Sequence, residues 1–404
     1  MNYRFRSEWQ MFTGDGPDFP NLVFIEALLD SEEVGRLDGM LREAVGNLTA
    51  SGDKAPRVRA FRSNALDYRL SDELVRTVAE PSESPVDWLR RTAGAGGGCV
   101  AINGLAAWSL DLAEWFSTLV ASLMRGPGRE PLSGTDVYTF IADCEWTPFG
   151  IHCDAEPSMI IHLGPSEKTV WVWPDGALPE ELFLRSPSFN GISFEIESHL
   201  SSAESFTLRS GDFVSIPRGR YHLFRNDGPS AFLGLTVYPL DRQRLLRSAV
   251  TTVIDDVLLP DIGEFATMRE FEDNIQELMR DHAFGERIAS SIGARFVRKY
   301  AVERSSGHVD RPNRAVLDGR GELPERMRGA FPGVLSDCGQ GELVVRGRTL
   351  RTNVALDLRT LAERVNSCAP LALPEWLETI SGLGPDNGRE LVAALYRVGG
   401  LVDA

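Results

Sequence analysis

The chain has 404 residues, 43% of them apolar, which is enough for two or three domains with a substantial core. A net charge of −16 disfavours non-specific binding to nucleic acid. No stretch approaches the length of a membrane span, and residues 1–6 are not followed by a long apolar run, so a soluble cytoplasmic protein is expected.

In chain order, residues 21–25 read as a strand, followed by an amphipathic helix from about Ser31. Asp30 or Ser31 would cap it, with Glu32 and Glu33 in its first turn. Residues 48–99 are rich in Ser, Pro, Gly and charge. The glycine run at 93–98 lacks the Gly-Lys-Ser/Thr of a phosphate loop and predicts a flexible connection. Residues 105–124 have helical periodicity, with Trp108, Trp115 and Leu119 expected in the core. From about 135 to 240 the pattern changes to short apolar strands broken by Gly, Pro, Asp and Asn, the signature of a β-sandwich or barrel; the last strand is 232–238. Residues 242–300 return to helical character, most clearly over 264–280, and the polar stretch 303–322 reads as a linker. The remainder reads as a small unit: a strand at 342–345, helices at 357–364, from 373 and at 389–398, and a terminal strand at 399–402. Cys99, Cys144, Cys153, Cys338 and Cys368 show no CxxC spacing, which argues against a zinc ribbon or a disulfide scaffold. Residues 320–404 hold ten Arg, no Lys and eleven Asp or Glu, so the acidic excess lies in the first 319 residues and suits a basic peptide or protein better than a polyanion.

Two segments of the strand region carry chemistry. Gly150 to Asp154 reads Gly-Ile-His-Cys-Asp. Side chains two apart on a strand share a face, so His152 and Asp154 can bind one ion with Cys153 turned away. Gly211-Asp212 reads as a tight turn, 213–216 as a short strand, and Pro217-Arg218-Gly219 as a second turn that delivers His222 to a new strand. Two imidazoles and one carboxylate form the set that holds Fe(II) on one face and leaves the other open. An isolated His-x-Asp is common by chance, and a lone histidine after a turn is usually just packed. Here two of only six histidines fall at the two motif positions, which favours the metal.

Segment 150–174 resembles the JmjC and cupin-type 2-oxoglutarate oxygenases. The His-x-Asp strand is followed by the apolar strand 159–161, the turn 164–167, Lys168 opening another strand, and Trp173-Pro174. Gly211-Asp212, Ile216-Pro217, Gly219, His222 and Asn226 match the family's second metal motif. The resemblance spans roughly residues 20–245. It implies a mainly β catalytic core, a cupin-like double-stranded β-helix (jelly roll) with flanking helices, using Fe(II) and 2-oxoglutarate. It implies that His152, Asp154 and His222 are metal ligands. It also implies that Lys168 pairs with the far carboxylate of 2-oxoglutarate and that Tyr138 donates a hydroxyl to it, with Thr147 a weaker counterpart. The turn before Lys168 is one residue longer than the family pattern, and Arg220 stands where an aromatic residue is usual. Residues 340–404 resemble the winged-helix unit of ribosomal-protein oxygenases. The expected organisation is a catalytic domain over 1–245, a helical segment over 246–302 that mediates a homodimer in relatives, a linker over 303–322 and a winged-helix-like domain over 323–404. The expected reaction is hydroxylation of a side chain in a peptide or protein, including a natural-product precursor peptide. Alternatives are the same chemistry on a free amino acid or small metabolite, or a cupin-like binding protein without catalysis.

Overall fold

The computed structural model describes residues 21–52, 57–123, 134–179, 192–238, 242–253, 267–280, 282–318, 320–338, 341–351 and 358–404, with Phe19, Leu182 and Phe183. Residues 1–6, Met124, residues 264–266 and Asp357, on which some sequence readings fall, lie outside these.

Strand β1 (Val23–Ile25) leads into helix α1 (Ser31–Ser51). Asp30 caps it reciprocally: the Glu33 N–H donates to the Asp30 carboxylate at 2.9 Å, and the Asp30 N–H donates to the Glu33 carboxylate at 3.1 Å. The stretch 48–99, given no element from sequence beyond the end of that helix, forms β2 (Val58–Arg62), β3 (Ala65–Leu66), α2 (Tyr68–Arg76) and α3 (Pro85–Ala93), then enters β4 (Gly98–Ile102). The glycine run is not a loose connection. It is a tight helix-to-strand turn in which the Gly96 N–H donates to Asp143 Oδ2 at 2.7 Å. Helix α4 (Leu110–Leu123) buries Trp115 and Leu119, and Trp108 joins them in the core as expected.

The barrel follows: β5 (Gly134–Asp143), β6 (Ile151–His152), β7 (Ser158–Pro165), β8 (Lys168–Val172), β9 (Ile192–Ser193), β10 (Glu204–Leu208), β11 (Phe213–Ile216), β12 (His222–Asn226) and β13 (Ser230–Tyr238). Two antiparallel sheets form, one ordered β1-β11-β7-β13-β5-β4-β2-β3 and the other β10-β8-β12-β6-β9. Strand alternation divides the side chains cleanly. Phe140, Ile160, Val214 and Phe232 of the larger sheet meet Val170, Val172, Leu208 and Phe224 of the smaller one between the sheets. The alternate residues, among them Val137, Met159, Ile161, Leu233 and Leu235, face Leu37, Leu41 and the aromatic residues of α4. This is the double-stranded β-helix with flanking helices that the sequence implied.

Helices α5 (Arg242–Val253), α6 (Met268–Arg280) and α7 (His282–Ser305) follow, then a short α8 (Arg314–Leu317). The segment that reads as a linker is pinned to the barrel. The Thr135 N–H donates to the His308 carbonyl at 2.7 Å, the Asn313 N–H donates to the Ala107 carbonyl at 2.7 Å, and Arg57 pairs with Asp310 at 2.9 Å. The C-terminal unit comprises β14 (Arg326–Gly329), β15 (Leu335–Asp337), β16 (Glu342–Val345), β17 (Arg348–Arg351), α9 (Arg359–Asn366), β18 (Leu371–Ala372), α10 (Leu373–Thr379), α11 (Pro385–Arg397) and β19 (Leu401–Asp403). Met327, Phe331, Trp376 and Leu395 anchor its own core. It is fastened to α4 by a buried pair, Arg328 Nη2 to Glu114 Oε1 at 2.7 Å, and the tip of the β16–β17 hairpin is held by the Gly347 N–H donating to Ser305 Oγ at 3.0 Å. Among the described residues no helix is long and apolar enough to cross a membrane.

Candidate metal centre and its cavity

Strands β6 and β12 are neighbours, and His152 and His222 are direct cross-strand partners with ring centres 4.3 Å apart. Asp154 follows β6 immediately, with Oδ2 3.8 Å from His222 Nε2. One ligand atom from each of the three lies within 4.8 Å of the others, close enough for all three to be drawn onto a single ion. The backbone sets the tautomers. His152 Nδ1 lies 2.9 Å from the Gly150 carbonyl, and His222 Nδ1 lies 3.0 Å from the Arg220 carbonyl. A carbonyl can only accept, so both Nδ1 atoms carry the proton and both Nε2 lone pairs face the ion position. Burial, reinforced by His222, pushes His152 down to about 4, so it is neutral and able to ligate at neutral pH. Gly150 is required by the close approach of β9: at φ +59, a Cβ there would lie 2.3 Å from the Ser193 carbonyl oxygen.

Lys168 opens β8 facing inward and is 0% exposed. Its Nζ has no hydrogen-bond partner among the described residues and lies 5.0, 5.5 and 5.8 Å from the ring centres of Phe232, Phe140 and Phe224. Burial pushes the ammonium down to about 8. Upstream of Lys168, pairing of β7 with β13 shifts between Ala231 and Phe232, a bulge that leaves Leu163 without a partner on β13. The Cys144 and Cys99 thiols favour the charged form of Lys168, but no carboxylate pairs with it among the described residues, which is the environment that an incoming carboxylate relieves. His162 lies within reach of its field, and burial together with that charge pushes the imidazole down to about 4. Asn226, directly across from Lys168, serves the backbone by donating to the Cys144 carbonyl at 2.7 Å.

Tyr138 also faces inward, and the chain makes room for it: it pairs with Gly234, whose missing Cβ would lie 2.2 Å from the tyrosine ring. Its phenol, hydrogen-bonded to Ser158, is pushed up by burial and by the Asp154 charge. Its hydroxyl therefore stands near the metal ligands, and Phe232 packs between it and Lys168, 5.8 Å from the Tyr138 ring centre and 5.0 Å from Lys168 Nζ.

A cavity of about 330 Å³ opens onto the triad, with Tyr138, Thr147 and Ser158 in its wall. Three charged residues of its wall, Asp136, Glu156 and Arg59, carry no signal in the sequence reading. Asp136 is 8% exposed and accepts from Asn103 Nδ2 at 2.6 Å and the Gly104 N–H at 2.8 Å; Glu156 and Arg59 complete the group, Arg59 donating to Asn103 Oδ1 at 3.0 Å. Burial pushes both carboxyls up, with the Asp154 charge adding to the effect at Glu156. A second, more apolar cavity of about 540 Å³ lies beside Val172, the other cross-strand neighbour of His222, and is bounded by Phe24, Trp173, Phe206 and Arg220. Arg220 pairs there with Asp175 at 3.5 Å.

Neither a protein-family model nor a curated protein sequence matches the chain. Solved structures do. The X-ray structure of E. coli YcfD is 12% identical, covers 100% of both chains and superposes with a TM-score of 0.51. YcfD, a ribosomal oxygenase from Escherichia coli, in complex with cobalt and 2-oxoglutarate, is 13% identical over 99% of each chain with a TM-score of 0.49. An oxalate decarboxylase from Lactobacillus farciminis matches 31% of this chain at 16% identity and a TM-score of 0.18. What is shared with YcfD at this identity is the fold.

Proposed function

We propose that this chain is an Fe(II)- and 2-oxoglutarate-dependent oxygenase that hydroxylates a side chain of a peptide or protein in the cytoplasm. The observation that carries the reading is the convergence of His152, Asp154 and His222 with both Nε2 lone pairs directed at one point. The donor set suits a divalent iron, and the Lys168 ammonium, without a hydrogen-bond partner among the described residues, suits the far carboxylate of a dicarboxylic co-substrate. When bound, iron and 2-oxoglutarate together supply the activation of O2, with succinate and CO2 released as the substrate carbon is hydroxylated. The residues do the rest. Gly150 and Arg220 fix the histidine rings through their carbonyls. Lys168 orients the co-substrate, and the Phe140, Phe224 and Phe232 rings keep water from its charge. Tyr138 and Ser158 hold a hydroxyl pair beside Asp154.

The acidic wall, Asp136 and Glu156, supports a cationic substrate side chain, in line with the acidic first 319 residues. Arg59 on the same wall is the one feature favouring a free amino acid, whose two charges it and Asp136 would split. Succinate release stimulated by basic peptides but not by free amino acids separates the two. Exposed Phe296, Val297 and Tyr300 on α7 support a homodimer through the helical segment, to be checked by sedimentation.

The decisive experiment is an anaerobic titration with Fe(II) and then 2-oxoglutarate, following the visible charge-transfer band of the chelate. A saturable one-to-one band that His222→Ala abolishes is expected. Fe(II) binding without the band would replace this reading with a 2-oxoglutarate-independent cupin, and binding of neither would leave a non-catalytic module.

A further inference from the structure

The joint between the barrel and the C-terminal unit holds a charge that the oxygenase reading does not use. The β16–β17 hairpin turns on Arg346 (φ +48) and Gly347 (φ +71), a two-residue turn whose first position favours Asn or Gly. Arg346 occupies it and is 0% exposed. Its Nε donates to the Gly399 carbonyl at 2.9 Å and its guanidinium lies 4.9 Å from the Phe331 ring centre, yet Nη1 and Nη2 have no hydrogen-bond partner among the described residues.

The surroundings add positive charge. The fields of Arg320 and Arg328 reach Arg346. Arg328 is already committed to Glu114 at 2.7 Å, and Arg320 donates to the Leu401 carbonyl at 3.0 Å while lying 4.1 Å over the Tyr396 ring. The Nε atoms of Arg320 and Arg328 are also without partners among the described residues. The favourable charges that reach Arg346 are Glu114, spent on Arg328, and Asp111, which is solvent-exposed. A buried lysine could shed its proton in such a place; an arginine cannot. Its planar fork of unspent donors calls for an acceptor, and an anion meets both the donors and the charge.

We propose that a small inorganic anion of chloride's size binds at the Nη1 and Nη2 edge of Arg346, neutralising the three-arginine cluster where α4 meets the C-terminal unit. The anion is part of the joint: it allows the hairpin tip to stay buried against Gly399 and the end of α7.

The test is thermal unfolding of the full chain in sodium chloride against sodium gluconate at matched ionic strength. The midpoint is expected to rise by about 2 °C for each tenfold increase in chloride, since only the folded joint presents the site. Glu114→Gln, which removes a buried counter-charge, should steepen this dependence, and Arg346→Met should abolish it. Crystals soaked in bromide should show anomalous scattering at the Arg346 Nη atoms, a readout on the wild type that needs no variant to fold. Equal midpoints in the two salts, an unchanged slope in Arg346→Met, or no bromide at Arg346 would each overturn the proposal and leave water as the partner.

Discussion

Lys168→Met separates stability from function at one position. In the ligand-free protein the ammonium is fully buried, and its displacement from 10.5 to about 8 costs the fold about 3 kcal/mol at neutral pH. The three phenyl faces within 5.8 Å return ~0.5–1 kcal/mol each, which leaves a net penalty of about 1 kcal/mol. Methionine fills nearly the same volume and keeps the ring contacts, so the variant should gain about 1 kcal/mol. The pH dependence has a defined sign. The folded-state value lies below the unfolded one, so the wild-type penalty is complete below about pH 8 and fades as pH rises through 10.5. The assay is urea unfolding of both proteins without iron or co-substrate at pH 7 and pH 10.5; the gap should close at the higher pH. The same substitution should raise the 2-oxoglutarate requirement about 10–100-fold by removing a charge-assisted contact, with Fe(II) affinity unchanged. A variant less stable than wild type at pH 7 would mean that Lys168 is already paired in the ligand-free protein, and it could not then be the co-substrate's waiting counter-charge.

Asp154→Ala and His222→Ala should each abolish turnover and Fe(II) binding by calorimetry while leaving the circular dichroism spectrum unchanged. Gly150→Ala should destabilise the fold by about 1–3 kcal/mol, because the left-handed backbone and the Ser193 carbonyl both oppose a Cβ, and should weaken metal binding by moving His152. Glu114→Ala breaks a buried ion pair and should cost about 3–5 kcal/mol in denaturant unfolding. Asp136→Asn should raise the KM for a basic peptide several-fold with little change in kcat, and an unchanged KM would remove Asp136 from substrate recognition.

The candidate metal ligands could be read in the sequence because two strong local signals carry them, the i, i+2 parity of His152 and Asp154 and the paired turns that deliver His222. The α1 cap was legible for the same reason: Asp30 and Glu33 are three residues apart. What was not legible depends on distant partners. Strand β2 is five residues with Arg59 and Arg62 in it, and its pairing with β4 and β3 makes it a strand. The residues around 303–322 have the composition of a linker, but their backbone is bound to Thr135 and Ala107, far away in sequence. The three phenylalanines around Lys168 come from β5, β12 and β13, so no local pattern announces them. Asp136 is one charged residue in a stretch of strand pattern, and its place in the cavity wall is set only when β5 pairs with β13 and β4.

The buried hairpin tip constrains how this chain can change over evolutionary time. A hairpin that projects into solvent can lengthen, shorten or trade residues without consulting the rest of the protein. This one ends on Arg346 and Gly347, against Gly399 and Ser305, beneath the Arg328–Glu114 pair. A replacement at any of these positions is felt across the joint. The two units cannot be inherited as interchangeable parts, and a drifting C-terminal unit must bring compensating changes in α4 with it.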